Sequence, residues 1–284
     1  MDQKYSLSLK HIEEYQISLM ERECSKNTIS KYMRDIRTFY EYLPENKEIS
    51  KACVVEYKAY LSTNYKGTSA NSMLVSINGL LSFLGWQDCR VNLLRVQHST
   101  FREVEKELTK TEYQRLLEAA MEKKDERLNL LLQTICSTGI RVGEVRYITT
   151  EALKKGVALV INKGKERQVL LSKQLVIQLR RYCKERHIFS GSIFITRTGR
   201  PLSRGNIWAA MKQLSAAANV DPQKIFPHNL RHLFALTYYR LEKDIVRLAD
   251  ILGHASVDTT RIYTATSNLE YIKSLTRMGL CFSS

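Results

Sequence analysis

The 284-residue sequence has little proline and glycine, 4 and 12 residues respectively, and no long hydrophobic run. It also contains no internal repeat and no low-complexity tract. A membrane-spanning helix needs roughly 18 or more consecutive apolar residues, and no stretch of the sequence supplies them. The first ten residues, MDQKYSLSLK, also lack the apolar core of a signal peptide. We therefore expect a cytoplasmic protein that is not inserted in a membrane.

The sequence also lacks the patterns that hold cofactors. Its six cysteines form no CxxC pair and no Cys/His cluster at zinc spacing, and there is no Walker motif and no acidic metal cluster. We therefore expect no metal and no other cofactor. The cysteines are expected to be reduced, buried side chains. They are Cys24, Cys53, Cys89, Cys136, Cys183 and Cys281.

Acidic residues are scarce in one segment only. Residues 141–240 carry 19 Lys and Arg but 5 Asp and Glu, whereas residues 1–100 carry 13 and 11. Almost the whole net charge of +15 therefore lies in one part of a chain whose 44% hydrophobic content is sufficient for folded cores. Such an asymmetry is typical of a surface that binds a polyanion. Charge alone does not show whether that polyanion is a nucleic acid, a membrane surface or an acidic protein.

Apolar periodicity predicts a small helical bundle in residues 1–96. The clearest stripe runs through 27–43, where apolar side chains recur at helical spacing. Three more helices are predicted near residues 9–19, 54–61 and 73–84, the last of them starting after Thr68 and Ser69.

The polar stretch at 97–107 is predicted to be a linker. A second domain is predicted at 108–284, and it begins with a capping box formed by Thr109 and Glu112. Its pattern is helical except for a predicted hairpin at 157–171 with a turn at 162–165. The expected fold is therefore mainly α with a small β-sheet.

Four stretches of the second domain carry chemically useful side chains. Arg141 opens a helix just after Gly139, and Lys163 and Lys165 occupy the hairpin turn. Each alone is consistent with an ordinary surface residue or a polar turn.

The third and fourth stretches lie further along the chain. His228 and Arg231, at positions i and i+3 of one helix, project from the same face and suit a phosphoryl centre. His232 is expected to point elsewhere and to be structural. His254 follows a helix end, and Tyr263 lies in the segment TTRIYT.

In this order, STGIRVGEV, NKGKER, PHNLRH, LGHAS and DTTRIYT resemble the tyrosine recombinases, the phage-integrase and Xer family. The resemblance covers nearly the whole chain. It implies a helical core-DNA-binding (SAM-like) bundle followed by an α+β catalytic domain. It also implies double-stranded DNA with a specific recombination site as the partner, bound by a dimer on each site and a tetramer in synapsis.

The resemblance also assigns roles to particular side chains. Tyr263 matches the nucleophile that forms a 3′-phosphotyrosyl bond, and Arg141 and Arg231 match the arginines that hold the phosphate oxygens. His228 matches the proton-handling histidine, and His254 the residue that hydrogen-bonds the scissile phosphate. The lysine that protonates the leaving 5′-oxygen is a less direct match, because the hairpin turn is one residue shorter than is common. Lys163 is preferred and Lys165 is the alternative.

Two other functions remain open at this point. A type IB topoisomerase uses similar chemistry to relax DNA without pairing sites, and a non-catalytic DNA-binding protein can share the fold. A last short helix at 267–277 is also predicted, which in the family docks on a neighbouring protomer and which could instead pack on its own domain.

Overall fold

The computed structural model describes residues 3–96, 106–162, 165–254, 256–263 and 276–278. The chain divides into two compact units, Met1–His98 (unit 1) and Ser99–Ser284 (unit 2). The described residues are mostly helical, with two small antiparallel sheets, which confirms the predicted fold class. No helix in these ranges is long and apolar enough to cross a membrane.

Unit 1 is a helical bundle whose apolar stripes face one core. Ile36 and Phe39, from the stripe predicted at 27–43, are fully buried. Serine side chains cap three of the helices by accepting backbone N–H bonds near their first turns. The helices are α1 (Leu9–Glu21), α2 (Lys26–Tyr42), α3 (Lys51–Asn64) and α4 (Gly67–Phe83), followed by a 3₁₀ helix at Gln87–Cys89.

Two details of unit 1 differ from the sequence predictions. Helix α4 starts at Gly67 without a side-chain cap, so Thr68 and Ser69 lie inside the helix and do not precede it. Burial of Ala70 in the core extends α4 by a turn beyond the predicted start. A second small sheet was also missed, because its strands, β1 (Tyr5–Ser6) and β2 (Glu48–Ile49), are too short to show alternation.

Unit 2 has a separate core that packs helices around one hairpin. The predicted capping box at Thr109 and Glu112 is present at its first helix. The hairpin pairs β3 (Val157–Asn162) with β4 (Lys165–Leu170). The helices are α5 (Lys110–Glu122), α6 (Glu126–Thr138), α7 (Thr150–Lys155), α8 (Lys173–Glu185), α9 (Arg204–Lys212), α10 (Ser215–Ala218), α11 (Pro227–Glu242) and α12 (Ile245–Leu252).

Short 3₁₀ helices complete the described part of unit 2. One spans Val142–Tyr147, where the sequence predicted an α-helix, and another spans Pro222–Lys224. Two more, Val257–Thr259 and Arg261–Tyr263, follow α12. The predicted helix at 267–277 falls almost wholly outside the described residues.

The cysteine prediction is only partly correct. The five described cysteines are free thiols, but Cys89 and Cys183 alone are buried. The other three, Cys24, Cys53 and Cys136, are partly exposed because they lie at the edges of the two cores.

Candidate active site

Arg231 is held at the centre of the site by the carbonyl ends of two helices. Its side chain projects from α11, is 3% exposed, and donates to the carbonyl oxygens of Gly139, which caps α6, and Leu252, the last residue of α12 (2.7 Å for Leu252). Helix C-termini carry partial negative charge, so they stabilise a buried cation. Burial and the nearby Arg141 charge lower the pKa of Arg231 to about 10, which leaves it charged at neutral pH.

Arg141 lies beside Arg231 but is more open to solvent. Arg141 directly precedes the 3₁₀ helix Val142–Tyr147, and its side chain is 35% exposed. One terminal nitrogen donates to the Gly253 carbonyl at 3.1 Å, and the other forms an ion pair with Glu144 at 3.2 Å. The two guanidinium groups predicted from the sequence are therefore brought to one place.

Glu144 and Arg167 support this pair and were missed by the sequence analysis. The buried Glu144 carboxylate lies 2.6 Å from an Arg167 terminal nitrogen and also accepts from the Arg141 backbone N–H at 3.1 Å. Burial opposes ionisation of Glu144, but the Arg167 and Arg141 charges outweigh it and lower its pKa. The i, i+3 spacing of Arg141 and Glu144 was the available signal, whereas nothing local marks Arg167.

Gly253 allows Arg167 to approach. It ends α12 with a left-handed backbone (φ +62°), and a Cβ atom built on it would collide with Cδ of Arg167. Arg167 also donates to the Ile251 carbonyl at 2.9 Å, so β4 is fastened to the end of α12. The close approach of Arg167 to Gly253 therefore joins the hairpin to the end of α12, whose Gly253 carbonyl also holds Arg141.

Replacing Gly253 with Ala is expected to lower the free energy of unfolding by about 2–4 kcal/mol. Roughly 1–2 kcal/mol comes from a side chain in left-handed backbone and about 1–2 more from displacing Arg167. Gly156→Ala is the matched control, because Gly156 is also a left-handed helix end (φ +71°) but has nothing within 4 Å of its added Cβ. Denaturant unfolding measures both variants, and equal losses would contradict the Arg167 contact.

His254 is fixed as a neutral imidazole. Its Nε2 lies 3.1 Å from an Arg231 terminal nitrogen and its Nδ1 lies 2.8 Å from the Thr260 hydroxyl. Because a guanidinium group only donates, Nε2 accepts and Nδ1 carries the proton. Burial and the neighbouring arginine charges lower the pKa of His254 to about 4, which agrees with that state.

Tyr263 lies against this histidine and is 3% exposed. Its ring is stacked with the His254 ring, with centroids 6.4 Å apart and planes 13° apart. Burial raises the pKa of Tyr263, and the Arg231 and Arg141 charges oppose that rise. The phenol and both guanidinium groups predicted for the site thus belong to one electrostatic cluster.

The two histidines of α11 both face this cluster. His228 is exposed as a whole residue. Desolvation of its ring by the surrounding protein nevertheless lowers its pKa, and the charges of His232 and Arg231 act in the same direction. The expectation that His232 points elsewhere is wrong, since its ring centroid lies 4.9 Å from that of Tyr263. Positions 228, 231 and 232 are i, i+3 and i+4 of one helix and share a face, which explains the error.

The remaining sequence predictions for this site are not tested by its geometry. Lys163 lies outside the described residues, and Lys165 is described only by its backbone pairing with Asn162. Within the described ranges no three His, Cys, Asp or Glu side chains converge as a metal site requires.

Two family models match the chain over most of its length. The model described as "Phage integrase family" matches residues 106–270, and "Phage integrase, N-terminal SAM-like domain" matches residues 12–88. Tyrosine recombinase XerD of Vibrio cholerae is 30% identical over 89% of this chain and 90% of that protein. Tyrosine recombinase XerD of Halalkalibacterium halodurans is 28% identical over 86% and 89% respectively.

Solved structures share the fold. The pre-cleavage complex of XerH recombinase with its difH substrate is 22% identical, with a TM-score of 0.68 over 95% of this chain and 89% of that one. A lambda integrase dimer bound to a core site is 19% identical, with a TM-score of 0.72 over 93% and 95%. The family models and the Vibrio cholerae relative together place the chain: it belongs to the phage integrase family and is a tyrosine recombinase.

Proposed function

We propose that this chain cuts and rejoins duplex DNA at a specific recombination site through a covalent 3′-phosphotyrosyl intermediate. The observation that carries the proposal is the convergence of the Tyr263 phenol with the Arg231 and Arg141 guanidinium groups. A phosphodiester is the anionic electrophile that two guanidinium groups recognise, and a tyrosine hydroxyl is a nucleophile that can form an ester with it. The structural neighbours include recombinases bound to DNA sites, which supports the same substrate.

Arg231 and Arg141 would hold the two non-bridging oxygens of the scissile phosphate. Each guanidinium group has five N–H donors, so its bonds to carbonyl oxygens orient it without using every donor. Fixed cations of this kind stabilise the extra negative charge that develops as phosphorus becomes five-coordinate. His254 would add a hydrogen bond to the same phosphate as its other neutral tautomer, in which Nδ1 accepts from the Thr260 hydroxyl and Nε2, parted from Arg231, carries the single proton.

The cleavage step transfers one proton on each side of phosphorus. The Tyr263 oxygen forms a bond to phosphorus while the bond to the 5′-oxygen breaks. The phenol proton passes to His228, whose lowered pKa keeps it neutral and able to accept. The leaving 5′-oxygen takes a proton from Lys163, and the ester conserves the energy of the broken phosphodiester for rejoining.

The proposal includes the arrangement of the whole chain. Residues 108–284 form the catalytic domain, residues 1–96 a second DNA-contacting domain, and residues 97–107 the linker. Two protomers bind each site, and four exchange strands through a Holliday junction. The positive excess in residues 141–240 supports extensive phosphate contact, so the binding constant is expected to fall steeply with salt.

The assignment of the general acid makes a separate prediction. Lys163→Ala is expected to slow strand cleavage by about a hundredfold or more, because an alkoxide leaves poorly without a proton. A substrate with sulfur in place of the leaving 5′-oxygen needs no proton, so the same variant should cleave it at the wild-type rate. Lys165→Ala is the matched control, because Lys165 begins β4 at the same end of the hairpin. If only Lys165→Ala is rescued by sulfur, Lys165 is the acid, and if neither is rescued, the hairpin supplies none.

The function is tested with DNA that the protein itself selects. A duplex enriched from a random-sequence pool by retention on the protein is nicked near the cleavage point and incubated with wild type in EDTA. The expected product is a denaturant-stable protein–DNA adduct with a new 5′-hydroxyl end, which polynucleotide kinase labels directly. A plasmid that carries two copies of the selected site should then yield recombinants. Relaxation of supercoils without recombinants, or adduct on a 5′-phosphate, would contradict the proposal.

A further inference from the structure

Glu107 makes a buried contact with His232. Its carboxylate oxygen lies 3.1 Å from His232 Nε2, and the two side chains are only 12% and 14% exposed. A carboxylate accepts and does not donate, so the imidazole donates through Nε2. The contact spans 125 positions of sequence and links Glu107, two residues before the α5 cap Thr109, to His232 on α11.

A neighbouring contact fixes the same piece of backbone. Asn229, on α11 and 7% exposed, donates from its amide nitrogen to the Lys106 carbonyl at 3.0 Å and to the Lys224 carbonyl at 2.9 Å. Asn229 and His232 are at positions i and i+3, so they share a face of the helix. Lys106 and Glu107 are therefore attached to α11 at two points.

His232 in turn contacts the tyrosine of the site. The rings of His232 and Tyr263 have centroids 4.9 Å apart and planes tilted by 54°, which is direct contact between two aromatic side chains. The second ring against Tyr263 belongs to His254, which has its own polar partner in Thr260. Both imidazoles beside Tyr263 are thus held by a hydrogen bond to a third residue, His232 by Glu107 and His254 by Thr260.

We propose that Glu107 and His232 form a positioning pair for Tyr263, in which the carboxylate orients the imidazole and the imidazole fixes the tyrosine ring. The inference rests on the proposed role of Tyr263 as nucleophile. Neither residue touches the phosphate in this account. Their effect is on the direction from which the phenol oxygen meets phosphorus, and a misplacement of about 1 Å can slow a reaction about a hundredfold.

The position of Glu107 gives the pair a further consequence. It lies at the N-terminal end of the described part of unit 2, so the orientation of the nucleophile depends on how Lys106 and Glu107 are attached to α11. Loss of the Glu107 contact is expected to slow strand cleavage while DNA affinity stays unchanged.

The test separates the hydrogen bond from the ring contact. Glu107→Ala removes the acceptor, and Glu107→Gln keeps one. His232→Phe keeps a ring against Tyr263 but cannot donate, and His232→Gln keeps a donor without a ring. Glu112→Gln is the matched control, because Glu112 is 14% exposed and ion-paired to Lys224 at 2.9 Å in the same unit.

Each variant is assayed for the single-turnover rate of adduct formation on the selected, nicked duplex and for the Kd of the intact duplex. Glu107→Ala, His232→Phe and His232→Gln are expected to form adduct about ten to a hundred times more slowly than wild type, with Kd within threefold. Glu107→Gln and Glu112→Gln should stay within threefold of the wild-type rate.

The outcomes separate this inference from the proposed function. If wild type forms no adduct, the nucleophilic role of Tyr263 fails, and the positioning pair fails with it. If wild type forms adduct and Glu107→Ala and His232→Phe form it at the wild-type rate, only the positioning pair is overturned. Equal slowing by Glu107→Gln and Glu107→Ala, or a loss of rate matched by a loss of DNA binding, also overturns it.

Discussion

Replacing Tyr263 with Phe is expected to abolish the covalent protein–DNA adduct and leave DNA binding intact. The phenol oxygen is the atom that would bond to phosphorus, and no other group of the variant can replace it at that place. The substituted ring keeps its contacts with His232 and His254, so the fold of the site should be preserved. Adduct is measured on a denaturing gel after incubation with the nicked duplex, and binding by retardation on a native gel.

A matched control lies in the same apolar cluster. Tyr239 is a partly buried side chain of α11 that packs against the hydrophobic cluster containing Tyr263, and Tyr239→Phe removes a hydroxyl without changing either arginine of the site. This control should form adduct at the wild-type rate. Adduct from Tyr263→Phe equal to that of wild type would exclude Tyr263 as the nucleophile, and peptide mapping of the adduct would then locate the true one.

Periodic burial made most of unit 1 predictable from the sequence. The stripe at 27–43 predicted α2 to within one residue at each end, because a helix that buries every third or fourth side chain leaves a strong pattern. The start of α4 was predicted less well. Thr68 and Ser69 favour a cap locally, but Ala70 is buried in the bundle. Its backbone N–H is paired there with the Lys66 carbonyl at 2.9 Å because the helix already runs through Thr68 and Ser69.

The ordered motifs also predicted which side chains come together in the site, but not what holds them. Arg141, Arg231, His254 and Tyr263 all lie in one cluster, although more than 120 positions separate the first from the last. The groups that orient them are backbone carbonyls at helix ends and the buried pair of Glu144 and Arg167, and these contacts exist only after the helices have packed.

Helix ends therefore contribute more to this site than their sequence suggests. Gly139 ends α6 and Gly253 ends α12, both with left-handed backbone, and both place a carbonyl within reach of an arginine. A glycine after a helix is ordinarily interpreted as a stop signal alone. Here it also supplies an acceptor that fixes the direction of an arginine side chain in the candidate site, which no spacing rule predicts.

Because Arg231 joins so many of these groups, even its replacement by Lys is expected to be severe. An ammonium group retains the charge but offers a compact point in place of a planar fork. It cannot reach the Gly139 and Leu252 carbonyls and the His254 ring together, as Arg231 does. We expect the rate of adduct formation to fall by about a hundred- to a thousandfold, the cost of losing one fixed donor to a transition-state anion.

Loss of stability must be separated from loss of chemistry in that experiment, since Arg231 is 3% exposed. Arg240→Lys on the exposed end of the same helix is the control, and both variants are assayed well below their measured Tm. The native-gel Kd reports whether the folded variant still binds the selected duplex. A rate within tenfold of wild type, at unchanged Kd, would mean that charge alone suffices at this position. The proposed need for a planar guanidinium group, oriented toward the phosphate by the carbonyls of two helix ends, would then be wrong.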